Sequence, residues 1–571
     1  MSFAPNTNTN NQKLIWYFIL VWTILNAFQA ATLEIHADEA YYWLYSRFLD
    51  WGYYDHPPMV AVFIKVGYSL FQNEFGARLV TVLTSSIAIG ILWQTLKTYR
   101  VDAGLFITIV SSLLIFHIYG FITTPDAPLF FFTVIFYFLF EQYLKTDKWL
   151  TALLISITLA CLLYSKYHGV LVILFSVLAN VKLLKRPTFW LIVFLTTALY
   201  IPHIWWQIRH NYPSIEYHLF ERTSEINGIE NALLFPLGQL LIAGPLVGWM
   251  IFYYAFRTKI KDAFIRTLLV NAIGTLLFFW FSSAKGEVQP HWTLIAFVPI
   301  TLLTLINFSQ GGAPAKWFKI LAYINIGVIV LFRIALSDQL PFIMQRTRLG
   351  SLFGYKEWTK QIQAKAGNAY VMFGDGFQDP AKYSFYTHSL KGFSYDSRYY
   401  RRTQFELWPI ENDFQGKRTL YVATMQDPLF MRDTFTTVKR KYWYGWVDST
   451  RTYQRVFIKT DNYKMTVKAG EQVTVPVTLN NPYPFQINFT NKGQPHQVIF
   501  GACFLQHEEM VYAQRADSTF YTKSIAPGKT ITYNFTFAAP SIKGSYDLLF
   551  SLRTTPFPGG RNSRVIKFTV Q

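Results

Sequence analysis

The chain has 571 residues, of which 52% are hydrophobic, 18% aromatic and only 15% charged, against about 25% charged in an average soluble protein. That composition excludes a wholly soluble protein, and the length allows two or three domains. The formal charge of +19 comes without any nucleic-acid recognition motif, so no nucleic-acid partner is expected; the Lys and Arg residues sit mainly in short loops between apolar runs, where they orient spans and suit anionic lipids or phosphate-bearing substrates.

Apolar runs long enough to cross a bilayer number about eleven. They lie near 14–32, 76–96, 104–122, 127–144, 149–165, 168–184, 188–206, 232–256, 266–282, 291–308 and 317–337. The first, after a polar N-terminus, reads as a retained helix rather than a cleaved signal. The run Met59–Phe71 is too short to span and follows a Pro-Pro pair, which suits an interfacial helix. Placing Lys13 in the cytoplasm puts the loops carrying Lys97 and Arg100, Lys145 and Lys148, Lys182, Lys185 and Arg186, Arg257 to Arg266, and Lys316 and Lys319 on the same side. The expected location is therefore the cytoplasmic membrane, with the N-terminus inside and everything after Ser337 outside.

That orientation gathers the unusual loops on the outer face. The first, Glu34 to Pro58, reads EIHADEAYYWLYSRFLDWGYYDHPP. It is followed by TTPDAP (Thr123–Pro128), SKYHG (Ser165–Gly169), the Pro202–Arg222 stretch, and KGEVQPHW (Lys285–Trp292). Ionisable groups near span ends are costly and often functional, so five clusters on one face point to one shared site.

Each cluster has two readings. Asp38 and Glu39 suit a general base that deprotonates an acceptor, or an N-cap for a short helix from Ala40 to Phe48. Neighbours on a helix diverge, so one of the two is expected to face the site. Asp55 and His56 precede Pro57 and Pro58 and suit phosphate or metal contact, or a simple turn. Asp126 reads as a helix cap, an active-site acid, or both. Lys166 and Lys285 lie on the outer face, where positive-inside bias does not explain them; phosphate binding does, with snorkelling as the alternative. Arg209 and His210 carry the same two readings, His291 clusters with Lys285, and His203 reads as structural. The residues leave a divalent metal open as cofactor, with Asp55, His56 and His291 as candidate ligands. No P-loop or Gly-rich dinucleotide motif occurs, so no nucleotide cofactor is expected. The two cysteines imply no disulfide framework.

After Ser337 the pattern changes. Residues near 340–460 mix strand-like runs (Ala369–Phe373, Thr419–Thr424, Arg455–Lys459) with a helical piece, Lys356–Ala366, which predicts a small α/β domain. From Tyr463 on, alternating strands at Glu471–Leu479, Gln497–Leu505, Thr530–Phe537, Tyr546–Arg553 and Val565–Val570 predict a β-sandwich. The expected organisation is a membrane domain over 1–338 with an outer loop at 33–75, an α/β domain over 339–461 and a sandwich over 462–571.

Taken in order, ADEAYYW with DWGYYDHPP, TTPD, SKYHG and KGEVQPHW resemble the GT-C-type glycosyltransferases that use lipid-linked sugars. The likeness is to the dolichyl-phosphate-mannose protein mannosyltransferase-like and bacterial aminoarabinose-transferase-like members, and it covers about residues 10–340 and not the β-rich tail. The resemblance implies an α-helical polytopic fold and an inverting transfer from a polyprenyl-phosphate sugar donor, among membrane lipids, to a lipid, glycan or protein acceptor. It implies Asp38 as the acceptor-activating base, Asp126 as a second acid and Lys166 near the donor phosphate, with Lys285, His291 and Arg209 supporting it. Glu39, Asp55 and His56 then support the first loop, although Asp55-His56 stands where the aminoarabinose transferases carry Glu-Lys. A flippase for lipid-linked sugars is the alternative, and the concentration of polar groups at one face argues against it.

Overall fold

The computed structural model describes residues 9–218, 228–311, 314–337, 350, 352–427, 430–507 and 509–571. The expected domain boundary at 338/339 and the end of the Pro202–Arg222 loop, from residue 219, lie outside them. The chain forms two compact units, Met1–Phe353 and Gly354–Gln571.

The first unit is helical. Seven of its helices are long and apolar enough to cross a bilayer: Asn10–Thr32, Glu74–Tyr99, Asp126–Thr146, Pro187–Arg209, Ala263–Ser283, Pro290–Gly311 and Lys316–Ser337. The pair Gly228–Ala243 and Gly248–Phe256, bent by 96°, makes an eighth if counted as one span. The other expected spans are occupied by shorter apolar helices, Ala103–Ser112, Trp149–Ser165 and Gly169–Ala179. Large apolar side chains such as Leu20, Phe28, Phe194, Phe281 and Leu331 are exposed on this unit, as a lipid-facing surface requires.

Two spans are broken, and the breaks meet. Helix Ala103–Ser112 ends at Leu113 in extended backbone before Leu114–Ile118 resumes. The second break falls at Gly244, whose φ of +132 suits glycine, ahead of Pro245. A Cβ at Gly244 would come within 2.6 Å of the Ser112 carbonyl oxygen, so only glycine permits the close approach. Non-helical backbone at membrane depth must be satisfied by protein. Asn325 of the last span does this for both breaks, donating to the Ser112 carbonyl at 2.9 Å and accepting from the Leu246 amide at 3.1 Å.

The second unit opens with helix Tyr355–Ala366. A mixed sheet follows in the order Gly392–Tyr395, Tyr370–Gly374, Thr419–Ala423, Lys441–Val447, Asp433–Thr436, parallel among the first three and antiparallel beyond. The sandwich pairs Glu509–Arg515, Val498–Gln506, Gly544–Thr554, Ile566–Val570 and Lys464–Val467 in one sheet. Thr530–Ala538, Gln472–Asn480 and Ile458–Lys459 form the other. Strand Gln472–Asn480 alternates buried and exposed residues, the period-two signature of a strand with one face in the core. Phe500, Phe504, Phe535, Phe537, Phe550 and Phe568 fill the space between the sheets.

Candidate active site

The first outer loop is a folded structure with its own core. Helix Ala37–Arg47 starts at His36, whose ring accepts from the Asp38 amide, while Glu39 reaches back to the His36 amide in a reciprocal capping box. The aromatics between the acids are mostly buried: Tyr45 stacks on Tyr53 at 3.9 Å, and Tyr41 and Tyr42 meet Tyr45 edge-on. Trp51 is the exception, exposed on the loop surface. The helix Pro187–Arg209 holds the loop in place. His203 donates from Nδ1 to the Trp51 carbonyl at 2.7 Å, and Trp206 donates to Asp50 at 2.8 Å. Gln207 bonds Ser214, which donates to the Tyr53 carbonyl. His203 is thus structural, as expected of it.

The adjacent acids Asp38 and Glu39 part company. Glu39 is fully buried, and Arg78 of the second span grips it at 2.6 and 2.8 Å. The amides of Thr123 and His36 add bonds of 2.9 and 3.1 Å. Arg78 spends its other donors on the carbonyls of Ala30, Leu33 and Glu34. Burial alone would raise the Glu39 pKa, but the charge and hydrogen bonds of Arg78, with the Thr123 and His36 amides, hold it below the usual carboxylate range. This pair pins the first span, the first loop, the second span and the TTPD turn together. Asp38, one residue earlier, leaves its side chain 43% exposed, with an oxygen 3.7 Å from His36.

Asp126, Lys166 and His291, from three different loops, come together. The Lys166 ammonium lies 2.9 and 3.0 Å from the two Asp126 carboxylate oxygens, with both side chains buried. His291 Nε2 stands 3.8 Å from Asp126, and the Trp292 ring lies 6.0 Å from the Lys166 ammonium. Asp126 opens its helix with only a long contact to Thr124 behind it. Tyr119 packs against His291 and lies in the electrostatic reach of both Asp126 and Asp38. Tyr42 lies in the reach of Asp38, Asp55 and Asp126 together; burial first, and then those three carboxylates, push its pKa well above the usual phenol value.

Asp55 is buried and accepts from the Tyr45 hydroxyl at 3.3 Å, while its carbonyl accepts from His218. The His56 ring lies 5.7 Å from Tyr42 and 6.1 Å from His218. Among the described residues no group of three or more His, Cys, Asp and Glu side chains is placed to hold a metal ion: Asp55 and His56 lie with His218, whereas His291 lies with Asp126. Lys285 is exposed after helix Ala263–Ser283. Arg209 is exposed too, over the Trp205 ring at 5.1 Å. Neither forms an ion pair among the described residues.

Sequence reasoning missed Arg78 and Arg333. Arg333 is buried in the last span and bonds Gln29, Asn26, the Leu25 carbonyl and His117, with its guanidinium 5.4 Å from the Phe121 ring. It braces the segment that leads from the first broken span to Asp126. Both arginines interrupt apolar runs, and that interruption was the available signal.

The family model for dolichyl-phosphate-mannose-protein mannosyltransferase matches residues 55–206. Lipid A galacturonosyltransferase RgtD of Rhizobium johnstonii is 21% identical over 286 residues, 48% of this chain and 60% of that one. The chain thus spans less than two thirds of the length of this curated relative. The crystal structure of ArnT from Cupriavidus metallidurans in the apo state superposes with a TM-score of 0.56 at 14% identity, covering 76% of this chain and 98% of ArnT. The same protein bound to undecaprenyl phosphate matches with a TM-score of 0.56 at 13% identity, covering 75% and 97%. With its run of long apolar helices and its strand-rich second unit, the chain is a multi-pass membrane protein that shares the fold of ArnT.

Proposed function

We propose that this protein is an inverting glycosyltransferase. It moves a sugar from a polyprenyl-phosphate donor to an acceptor at the outer face of the cytoplasmic membrane. The observation that carries the reading is the convergence of Asp126, Lys166 and His291 from three separate loops.

The chemistry balances on these residues. The acceptor hydroxyl gives its proton to Asp38 as its oxygen forms a bond to the sugar's anomeric carbon. The bond from that carbon to the phosphate oxygen breaks, and its electron pair leaves with the polyprenyl phosphate. Asp38 suits the base because it is open to an acceptor, whereas Glu39 is already committed to Arg78. General-base help of this kind contributes roughly 10²–10⁴-fold. Lys166 and His291 offset the charge developing on the phosphate. In the absence of donor, Asp126 neutralises Lys166 and keeps the ammonium in place. Lys285 and Arg209, exposed on the same loops, assist the donor from the rim, and Asp55 and His56 support the first loop.

ArnT has been seen with undecaprenyl phosphate, which supports a polyprenyl-linked donor here. RgtD is a lipid A galacturonosyltransferase, which favours a lipid acceptor over glycan or protein. The test is to compare lipid extracts and envelope glycans of a strain lacking this protein with its parent. A sugar missing from one lipid class, restored by the wild-type gene and not by an Asp38→Asn copy, is the expected result. Unchanged lipids and glycans would overturn the reading.

A further inference from the structure

The transfer chemistry leaves Tyr167, the neighbour of Lys166, without a role. The backbone at Lys166 is extended, with φ −161 and ψ 144, so consecutive side chains leave it on opposite sides. Lys166 turns to Asp126, and Tyr167 turns to helix Pro187–Arg209. The Tyr167 hydroxyl lies 3.2 Å from His203 Nε2 and 3.0 Å from Gln207 Nε2. Its ring packs against the His203 ring, with centroids 5.7 Å apart.

What each atom can donate or accept fixes the direction of these bonds. A carbonyl only accepts, so the 2.7 Å contact to the Trp51 carbonyl places a hydrogen on His203 Nδ1. In the neutral ring Nε2 is then an acceptor, and the Tyr167 hydroxyl donates to it. The Gln207 amide nitrogen carries a pair of hydrogens. One goes to the Ser214 hydroxyl at 2.7 Å, because Ser214 gives its own to the Tyr53 carbonyl at 2.8 Å. The other goes to the Tyr167 hydroxyl. Tyr167 thus gives one hydrogen bond and takes one, and both partners belong to the same helix.

That helix face also carries the first loop. His203, Trp206 and Gln207, at i, i+3 and i+4, lie on one face, and they hold Trp51, Asp50 and, through Ser214, Tyr53. The contact leaves no slack: a Cβ on Gly52 would come within 2.5 Å of the Trp206 ring and 3.0 Å of His203 Nδ1. His203 therefore holds the first loop with one ring nitrogen and Tyr167 with the other, and Gln207 divides its hydrogens in the same way. The loop held on one side carries Asp38, and the residue next to Tyr167 on the other carries the ammonium.

We infer that Tyr167 is a positioning residue: docked on His203 and Gln207, it sets where the Lys166 ammonium stands relative to the first loop. The inference rests on the reading of Lys166 as a ligand of the donor phosphate and adds how that ligand is held. A shift of about 1 Å in a positioned group costs on the order of 10²-fold, so a phenol acting only through its neighbour governs how well the donor is held.

The experiment measures binding of undecaprenyl phosphate to the full chain in nanodiscs, in a double-mutant cycle over Tyr167→Phe and Lys166→Ala, with thermal unfolding followed on the same samples. Tyr167→Phe should weaken binding about tenfold in the wild-type background, the worth of one or two neutral hydrogen bonds. Once Lys166 is alanine the same change should cost no more than about twofold, because the group it positions has gone. His203→Gln, whose amide both donates and accepts, should keep wild-type binding, whereas His203→Phe should match Tyr167→Phe. Wild-type binding by Tyr167→Phe, or an equal loss in both backgrounds, would overturn the positioning role and leave the proposed function standing. No binding by the wild type would overturn the proposed function, and the positioning role with it.

Discussion

Two buried ion pairs tie loops of the membrane unit to its helices, and they are built differently. In Glu39–Arg78 both side chains are sealed from solvent, and backbone groups from five further positions complete the hydrogen bonding. In Asp126–Lys166 the carboxylate meets one ammonium closely, a histidine at 3.8 Å and a weak threonine contact, under aromatic rings. A pair saturated by backbone fixes geometry; a pair completed by titratable side chains can exchange partners when a phosphate arrives. The same contrast separates Glu39 from its neighbour Asp38: one carboxylate is spent on the fold, and the other faces outward.

The comparison breaks most severely at Arg78. Removing one member of a buried pair costs about 3–5 kcal/mol, and here it also strands three backbone carbonyls. Arg78→Ala should fail to give a stable purified protein or lower its thermal unfolding midpoint sharply. A midpoint equal to wild type would show that the pair does not hold the loop.

Lys166→Ala sharpens the other side. Losing a charge-stabilising donor costs about 10²–10³-fold in turnover, or about 2.7–4 kcal/mol. The loss should appear in the dependence on donor concentration, with less destabilisation than Arg78→Ala because His291 still faces Asp126. Steady-state kinetics with varied donor check it; unchanged donor dependence would remove Lys166 from the phosphate site.

Acid separates the two units by a smaller effect. Glu39 has a folded pKa below its unfolded value, so its stabilisation is complete above the unfolded value and fades only as pH falls through the lower folded one. Glu406 in the second unit is the reverse. Burial first, and then the Asp396 carboxylate, raise its pKa well above the usual range, and Thr403 donates to it at 2.7 and 3.1 Å. A raised folded pKa gives stability that is fully present below the unfolded value and lost as pH rises through the folded one. Mild acidification should therefore stabilise the second unit at Glu406 while leaving the Glu39–Arg78 pair intact. Unfolding followed separately in each unit by hydrogen exchange between neutral and mildly acid pH checks the opposite signs.

Much of this architecture was legible in the chain. Alternation located sandwich strands such as Gln472–Asn480 to within a residue, because a strand with one buried face must alternate. Apolar length located the long spans, but not the break at Leu113 or the bend at Gly244, since hydropathy cannot see backbone that a distant Asn325 satisfies. At the site, the spacing of Asp38 and Glu39 said that they diverge; which one turned inward depended on Arg78, far away in sequence. The gathering of Asp126, Lys166 and His291 was expected only as a shared outer face. The burial of Tyr41, Tyr42, Tyr45 and Tyr53 was not expected: aromatic content alone does not distinguish a sugar-facing wall from a loop's own core.

The most direct test of the central claim sets Asp38→Asn beside Glu39→Gln in the purified chain, measuring sugar transfer and thermal unfolding on the same samples. The account predicts that Asp38→Asn keeps the wild-type midpoint and loses transfer by about 10²–10⁴-fold, whereas Glu39→Gln lowers the midpoint itself. Full transfer by Asp38→Asn, or a wild-type midpoint in Glu39→Gln, would contradict it.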